Sequence, residues 1–376
     1  MLPNGLVWNK DAFGALPSCV FTLDAHSDRE WASIFYKGWY HGLKTHKDIF
    51  RLAQTADIDA ILEFTSKARE GLTNVPNTRE RVTAQVEESF KTLNEEKEAN
   101  RLLFVVERDG VVLGISAIIM KLGGEVPFYN FKRSRHSGRA TNPKLAIDYD
   151  TLQLTTDFHA YSEVASLFMA EAGRGTGLAR LLSSGRFGYI HNNRAAFQDG
   201  LMAEILGWTD EKGISPFWKH LASRFIQMDF DNADKLSTVD KRFIVDLLPA
   251  LPIMLNLLPP IVSECTGRPH EHSRPAMNML RSIGFEKTDM CDVFDGGPAV
   301  RCQTDKTWIS RTSSEIESYG DVKGQERVLY FSGKGKNFRA SVGPANFLNK
   351  IGDETVAARV KHETDPVFIA QMKEPK

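Results

Sequence analysis

Cysteine is scarce in this chain: Cys19, Cys265, Cys291 and Cys302 are the four thiols among 376 residues, and none share a C-x-x-C spacing. That argues against a disulfide framework or a thiolate metal site, and reduced thiols in a cytoplasmic protein are the expectation. Long apolar runs are missing as well. No stretch approaches the roughly twenty apolar residues that span a bilayer. The most apolar segment, Phe243 to Val262, is interrupted by Pro249, Pro252, Pro259 and Pro260. The first residues lack a basic region followed by an apolar core, so no secretory signal is read there. Excess charge of either sign is absent too: 47 basic and 48 acidic side chains leave a net charge of −1. No global field gathers nucleic acid or an anionic membrane. What remains is 42% hydrophobic and long enough for two domains, or for one large domain with an appendage.

The most informative stretch is Ser162 to Ile190. An apolar run, Val164 to Met169, reads as a strand. It enters the turn Arg174-Gly175-Thr176-Gly177-Leu178-Ala179, which opens onto a helical pattern. Glycines let a backbone approach a phosphate closely, and the first unpaired N–H groups of a helix point at an anion. The Walker pattern needs Gly-Lys-Ser/Thr where this chain has Gly177-Leu178-Ala179. The dinucleotide fingerprint needs a third glycine, and it is absent. The R-x-x-G-x-A spacing between strand and helix resembles the pyrophosphate-binding turn of the GNAT acyltransferases, which bind acyl-CoA. Without a ligand, the same residues are a glycine-rich strand-to-helix turn.

Along the chain, residues 1–46 form an aromatic-rich extension in which Ser27 to Leu43 reads as a helix. Asp48 to Ala53 is a strand, a helix begins at Thr55 to Asp59, and an amphipathic helix runs from Thr78 to Asn94. Leu102 to Arg108 and Val111 to Met120 flank Asp109-Gly110, a strong hairpin signal. Strands follow at Thr151 to Thr155, Val164 to Met169 and Leu201 to Leu206. Helices follow at Pro216 to Gln227 and Arg274 to Ser282, with Gly284 ending the second, and a late strand is read at Asp292 to Asp295. From Thr307 onward, short strands alternate with glycine-rich turns. The expected class is α/β with a mixed sheet, an enlarged GNAT-like fold. Its core is expected over 47–305, with a small β-rich C-terminal subdomain over 306–376.

Several separated patches together resemble the arginine N-succinyltransferases. They include Gly71-Leu72-Thr73-Asn74-Val75-Pro76, Pro127-Phe128-Tyr129-Asn130, Ser162-Glu163 with Leu167-Phe168, and Leu181-Leu182-Ser183 with Arg186-Phe187. Further on come Ser215-Pro216-Phe217-Trp218, Met228-Asp229-Phe230, Ala233-Asp234, Gly267 with His270, Pro275-Ala276, Gly284-Phe285 and Phe294-Asp295-Gly296-Gly297-Pro298. They keep the family's order across residues 48–305. Three stretches depart from its pattern. Thr156-Asp157-Phe158-His159-Ala160 stands where the family has an Asn-Asp-x-Thr-Gly-like segment, Lys132 to Lys144 is more basic, and the N-terminal extension is foreign to it.

The resemblance implies transfer of succinyl from succinyl-CoA to the α-amine of L-arginine, with no metal and with association into a homo-oligomer, a dimer being expected. It puts the proton-transfer histidine at His270 and the backbone contact to succinyl-CoA at Leu167. Spacing alone does not lift His270 above a surface histidine beside Glu271 and His272; the resemblance does. The pyrophosphate is expected on Arg174, Gly175, Thr176, Gly177 and Ala179.

Glu163 and Glu204 sit in or beside apolar strands, where an unpaired carboxylate is costly. They are candidates for the substrate's guanidinium or amine, or for pairing with a structural arginine. Arg186 is a candidate for the succinyl carboxylate, or a solvated helix arginine. The run Lys132 to Arg139 is either a clamp for CoA or a solvated loop. Ornithine or another cationic amine as acceptor, and a non-catalytic acyl-CoA-binding role, stay open from sequence.

Overall fold

The computed structural model describes residues 46–68, 75–237, 242–316, 327–344, 360–361 and 365–372. The aromatic-rich extension, its expected helix and Gly71 to Asn74 lie outside them. Among the described residues, fourteen strands form one sheet. In chain order these are β1 (Asp48–Leu52), β2 (Arg101–Arg108), β3 (Val111–Ile119), β4 (Asn130–Thr141), β5 (Lys144–Thr155), β6 (Ser162–Met169) and β7 (Gly200–Glu204). Then come β8 (Ile253–Met254), β9 (Glu286–Cys291), β10 (Pro298–Gln303), β11 (Ser314–Glu315), β12 (Arg327–Ser332), β13 (Arg339–Pro344) and β14 (Val367–Gln371). Across the sheet the order is β11-β14-β12-β13-β1-β2-β3-β6-β7-β10-β9-β4-β5-β8. The C-terminal strands therefore extend this same sheet, because β13 pairs antiparallel with β1.

Local rules explain the central layers. β2 is buried on both faces, and its side chains alternate between two cores. Leu102, Phe104 and Val106 point to one, and Leu103 and Val105 to the other. The second core lies under α1 (Ile58–Thr65) and α2 (Arg79–Leu93), with Val82 and Val86 of α2 buried. Thr78 caps α2 by accepting the Arg81 N–H, leaving the helix within a residue of its expected ends.

The first core lies under α3 (Leu178–Asn192), almost all of which is buried. Gly185 allows this: a Cβ there would come within 2.5 Å of the Phe50 ring on β1. Phe50 and Phe104 stack beneath the helix with ring centroids 4.9 Å apart.

A separate apolar cluster joins the 217–262 region to the roots of β4 and β5. It contains α4 (Phe230–Ser237), α5 (Arg242–Leu247) and α6 (Pro260–Cys265), three short helices, of which α5 ends before Pro249 and α6 begins on Pro260. α7 (Arg274–Ile283) ends on Gly284, whose φ of 113° is the left-handed C-cap that its glycine predicted.

Two local expectations are corrected. The basic run Lys132 to Arg139 is not a loop; it is strand β4 of a long hairpin with β5. Two of its cations meet acids across the ladder: Arg133 bonds Asp150, and Arg135 reaches Asp148 at 3.3 Å. Asp292 to Asp295 is not a strand. It is a turn between β9 and β10, shaped by the Asp292 carboxylate accepting the N–H groups of Phe294 and Asp295 at 2.7 and 2.8 Å.

Candidate active site

β6 and β7 are parallel, and their register holds for only two rungs, Ser162 opposite Leu201 and Glu163 opposite Met202. Beyond Glu163 the strands part. On its other edge β6 carries a bulge. Ile115 faces Phe168 and Ala117 faces Ala165, so Ser166 and Leu167 stand outside the register with β3. Ser166 takes a φ of 54°, a conformation rare for a residue with a side chain. Both residues of the bulge border the gap between the strands.

A cavity of about 220 Å³ occupies that gap. Ala165, Ser166 and Leu167 of β6, Ala203 and Glu204 of β7, and Arg186 of α3 line it. Tyr129 and Phe128 enter from the segment before β4, Phe230 and Ile244 from the helical cluster, and Asp292 and Asp295 from the β9–β10 turn.

Past Met169, β6 runs through a short 3-10 turn into the glycine turn. Gly175 and Gly177 have φ of 75° and 90°, which glycine adopts without strain, and a Cβ at either would meet open space. The N–H groups of Gly175, Thr176 and Gly177 make no hydrogen bond to other described residues. The Thr176 hydroxyl donates to the Gly173 carbonyl at 2.7 Å, closing the turn below them. Arg174 is exposed beside it and Ala179 is half-buried at the start of α3. Unpaired donors, room above them and a helix start suit a phosphate.

His270 is 8% exposed and sits beside the cavity wall. Its backbone N–H donates to the carbonyl of Leu206, a lining residue, at 2.8 Å. Its Nδ1 accepts the His272 N–H at 3.2 Å, so the neutral ring carries its proton on Nε2. The segment before it is fixed twice more. Trp208 donates its N–H to the Arg268 carbonyl at 3.0 Å, and the Arg268 guanidinium lies 4.4 Å from the Trp208 ring centroid. Asp295 ties the segment after β7 to the turn before β10 by accepting the N–H groups of Gly207 and Gly297 at 2.6 and 2.7 Å. Burial, then the neighbouring Asp292, pushes the Asp295 carboxyl well above the usual range; those two N–H donors only partly oppose the shift.

The two glutamates separate. Glu204 lines the cavity and accepts Asn130 Nδ2–H at 2.7 Å. Glu163 is 4% exposed in the two-rung part of β6 and does not line the cavity. Arg186 is 2% exposed, so it is no solvated helix arginine. Burial alone lowers its guanidinium to about 9. His159 and Ala160, from the divergent stretch before β6, line a separate polar groove instead of this cavity.

Sequence reasoning missed Asp292 and Asp295 as site residues, although their turn belonged to a recognised patch; reading it as a strand hid the carboxylates. Among the described residues no three His, Cys, Asp or Glu side chains converge as a metal site, and no helix is long and apolar enough to cross a membrane.

Comparison with known proteins identifies the family. A family model described as arginine N-succinyltransferase beta subunit matches residues 48–309. The chain belongs to the arginine N-succinyltransferase family. An arginine N-succinyltransferase of Shigella flexneri is 34% identical over 276 residues, 72% of this chain and 80% of the relative. One from Escherichia coli O17:K52:H18 matches equally, at 34% over the same length. The solved arginine/ornithine succinyltransferase subunit AI from Pseudomonas aeruginosa superposes with a TM-score of 0.74 at 25% identity, covering 88% of this chain and all of that one. The family resemblance read from the patches and the expected fold class are both borne out. As a member of that family the chain is a transferase.

Proposed function

We propose that this protein transfers the succinyl group of succinyl-CoA to the α-amine of L-arginine. The observation that carries the reading is the bulge of β6 at Ser166 and Leu167, opening into the splay between β6 and β7. A thioester carbonyl lying in the splay accepts the Leu167 N–H. As the amine attacks, the carbonyl oxygen gains negative charge, and a preorganised donor there is worth roughly 3 kcal/mol. The amine nitrogen bonds to the carbonyl carbon, the C–S bond breaks, and the amine's surplus proton leaves through His270 or solvent as CoA departs. The enzyme itself is never acylated.

The pyrophosphate rests on the N–H groups of Gly175, Thr176 and Gly177, with Arg174 and the α3 start at Ala179 completing the cradle. Glu204 faces the cationic amine substrate. Glu163, away from the cavity, has the supporting part. The expected setting is cytoplasmic and the expected assembly a homodimer.

A second acceptor is worth weighing, because the Pseudomonas aeruginosa relative's name covers ornithine as well as arginine. Thiol release from succinyl-CoA with arginine, ornithine and lysine decides between them. A planar guanidinium pairs with a carboxylate through two hydrogen bonds, which an ammonium does not reproduce. Arginine is therefore expected to exceed lysine in kcat/KM by about tenfold or more. Equal turnover of all three removes the guanidinium site; no turnover of any, with the donor still bound, removes arginine as the acceptor.

A further inference from the structure

Arg186 is a buried cation that no acid among the described residues balances; besides three hydrogen bonds it has only the Phe187 ring, 5.9 Å from the guanidinium carbon to the centroid. Its Nε and Nη2 donate to the carbonyl and hydroxyl of Ser183, each at 3.3 Å, and its Nη1 to the Ala165 carbonyl at 3.4 Å. These are long bonds to neutral acceptors. Each Nη carries a second N–H, and neither has a partner among the described residues. No acidic side chain offsets its loss of hydration. An isolated buried charge is among the costliest things a fold can hold, unless something outside the protein completes it.

We infer that Arg186 receives the far carboxylate of the acyl group and so selects dicarboxylic acyl-CoA donors over monocarboxylic ones. The inference rests on the acyl-CoA reading above and adds the residue that reads the acyl chain.

Position supports it. Arg186, Ala165 and Leu167 line one cavity, and the guanidinium bonds Ala165, two residues before the Leu167 N–H proposed for the thioester oxygen. Two residues along a strand span at most about 6.6 Å. A two-methylene diacid bridges that span once a hydrogen bond is added at each end. The free N–H groups on both Nη atoms offer a fork, which matches a carboxylate and has no use for a methyl group. The alternative is a purely structural arginine tying α3 to β6. The two readings differ in sign on stability: a structural tie is lost when the side chain is removed, whereas an uncompensated charge is relieved.

The test compares wild type, Arg186→Met and Arg186→Lys in three measurements. Calorimetry gives affinities for succinyl-CoA and for butyryl-CoA, which has the same chain length without the carboxylate. Melting temperature is recorded for each protein alone, and again with free succinate or butyrate. Wild type is expected to favour succinyl-CoA by roughly a hundredfold, the scale of a charged hydrogen bond left unmade. Arg186→Met should bring the two donors within a few-fold and hold or raise the melting temperature. Arg186→Lys, keeping the charge without the fork, should fall between. Succinate should raise the melting temperature of wild type more than butyrate does, and this difference should vanish in Arg186→Met.

An unchanged donor ratio with a lowered melting temperature overturns the inference and leaves a structural arginine. If neither CoA ester binds wild type, the acyl-CoA reading fails by itself. The comparison of succinate with butyrate then decides for or against Arg186 as a carboxylate receptor.

Discussion

In the β4–β5 hairpin the backbone pairing runs unbroken through twelve rungs, from Asn130 opposite Thr155 to Thr141 opposite Lys144. Between β6 and β7 it holds for two and stops. The side chains follow the same division. The hairpin is crowded with charge, and much of it is paired: Arg133 bonds Asp150 and two groups of the Ser263 residue, and Asp148 takes hydrogen bonds from Ser137 and Arg135. Around the splay two charged groups stand apart from this pattern. Among the described residues Arg186 has no acid, and Asp295 has no cation within its hydrogen bonds. Their titrations move accordingly. Hydrogen bonds from Ser137 and then Arg135 draw Asp148 below its usual range, while burial drives Asp295 above its own. A conspicuous run of charge is thus no guide to a site; groups that the fold leaves incomplete are.

That contrast breaks most readily at His270, where the largest effect is expected. His270→Ala should lower kcat by roughly a hundredfold or more, the usual scale of general acid–base catalysis, with affinity for CoA little changed. Steady-state kinetics beside calorimetry with CoA make the measurement. A variant that keeps most of its kcat would mean that proton transfer needs nothing from the cavity wall, and the splay would lose its claim to the chemistry.

How much of this was legible in the sequence depends on how far apart the deciding atoms lie along the chain. The β6-turn-α3 unit could be read because an apolar run, two glycines and a helical pattern are contiguous. Gly110 and Gly284 gave away a hairpin and a helix end for the same reason. The hairpin of β4 and β5 was misread because its order comes from acids on one strand meeting bases on the other, as far apart as Arg135 and Asp148. Charge-rich strands carry none of the apolar alternation that marks a half-buried one. The bulge at Ser166 depends on the register with β3, which no local pattern encodes. Arg186 was visible as a residue of α3, but its isolation is a statement about every acid that fails to reach it. Only the folded arrangement contains that.

A smaller effect is expected at Asp295, and it sharpens the comparison through pH. Its folded pKa is raised, so the native protein holds a proton that the unfolded chain releases near pH 4. The contribution to stability is therefore fully present below about pH 4 and is lost as pH rises through the folded pKa, at up to about 1.4 kcal/mol per pH unit. Asp292 lies against it, so the titration belongs to the pair. Asp295→Asn removes the titrating group and keeps one carbonyl acceptor for Gly207 or Gly297. Urea unfolding across pH 4 to 8 should give a flatter curve for the variant than for wild type. Parallel curves would place the proton elsewhere and return Asp295 to an ordinary ionised carboxylate.

The smallest effect belongs to the hairpin, and its smallness is the point. Arg135 and Asp148 lie 3.3 Å apart with side chains 72% and 48% exposed. Water screens such a pair, and holding two long side chains together offsets much of its attraction. Arg135→Ala should move the melting temperature by no more than about 2 °C and leave kcat and KM for succinyl-CoA where they were. Cross-strand backbone pairing does not depend on this side chain, and the residue stands well outside the cavity's lining. A large rise in the KM for succinyl-CoA would give the basic strand a part in donor binding after all, as a clamp on the CoA phosphates. Salt titration of that KM would then separate a direct contact, which weakens as ionic strength rises, from a distortion of the hairpin, which does not.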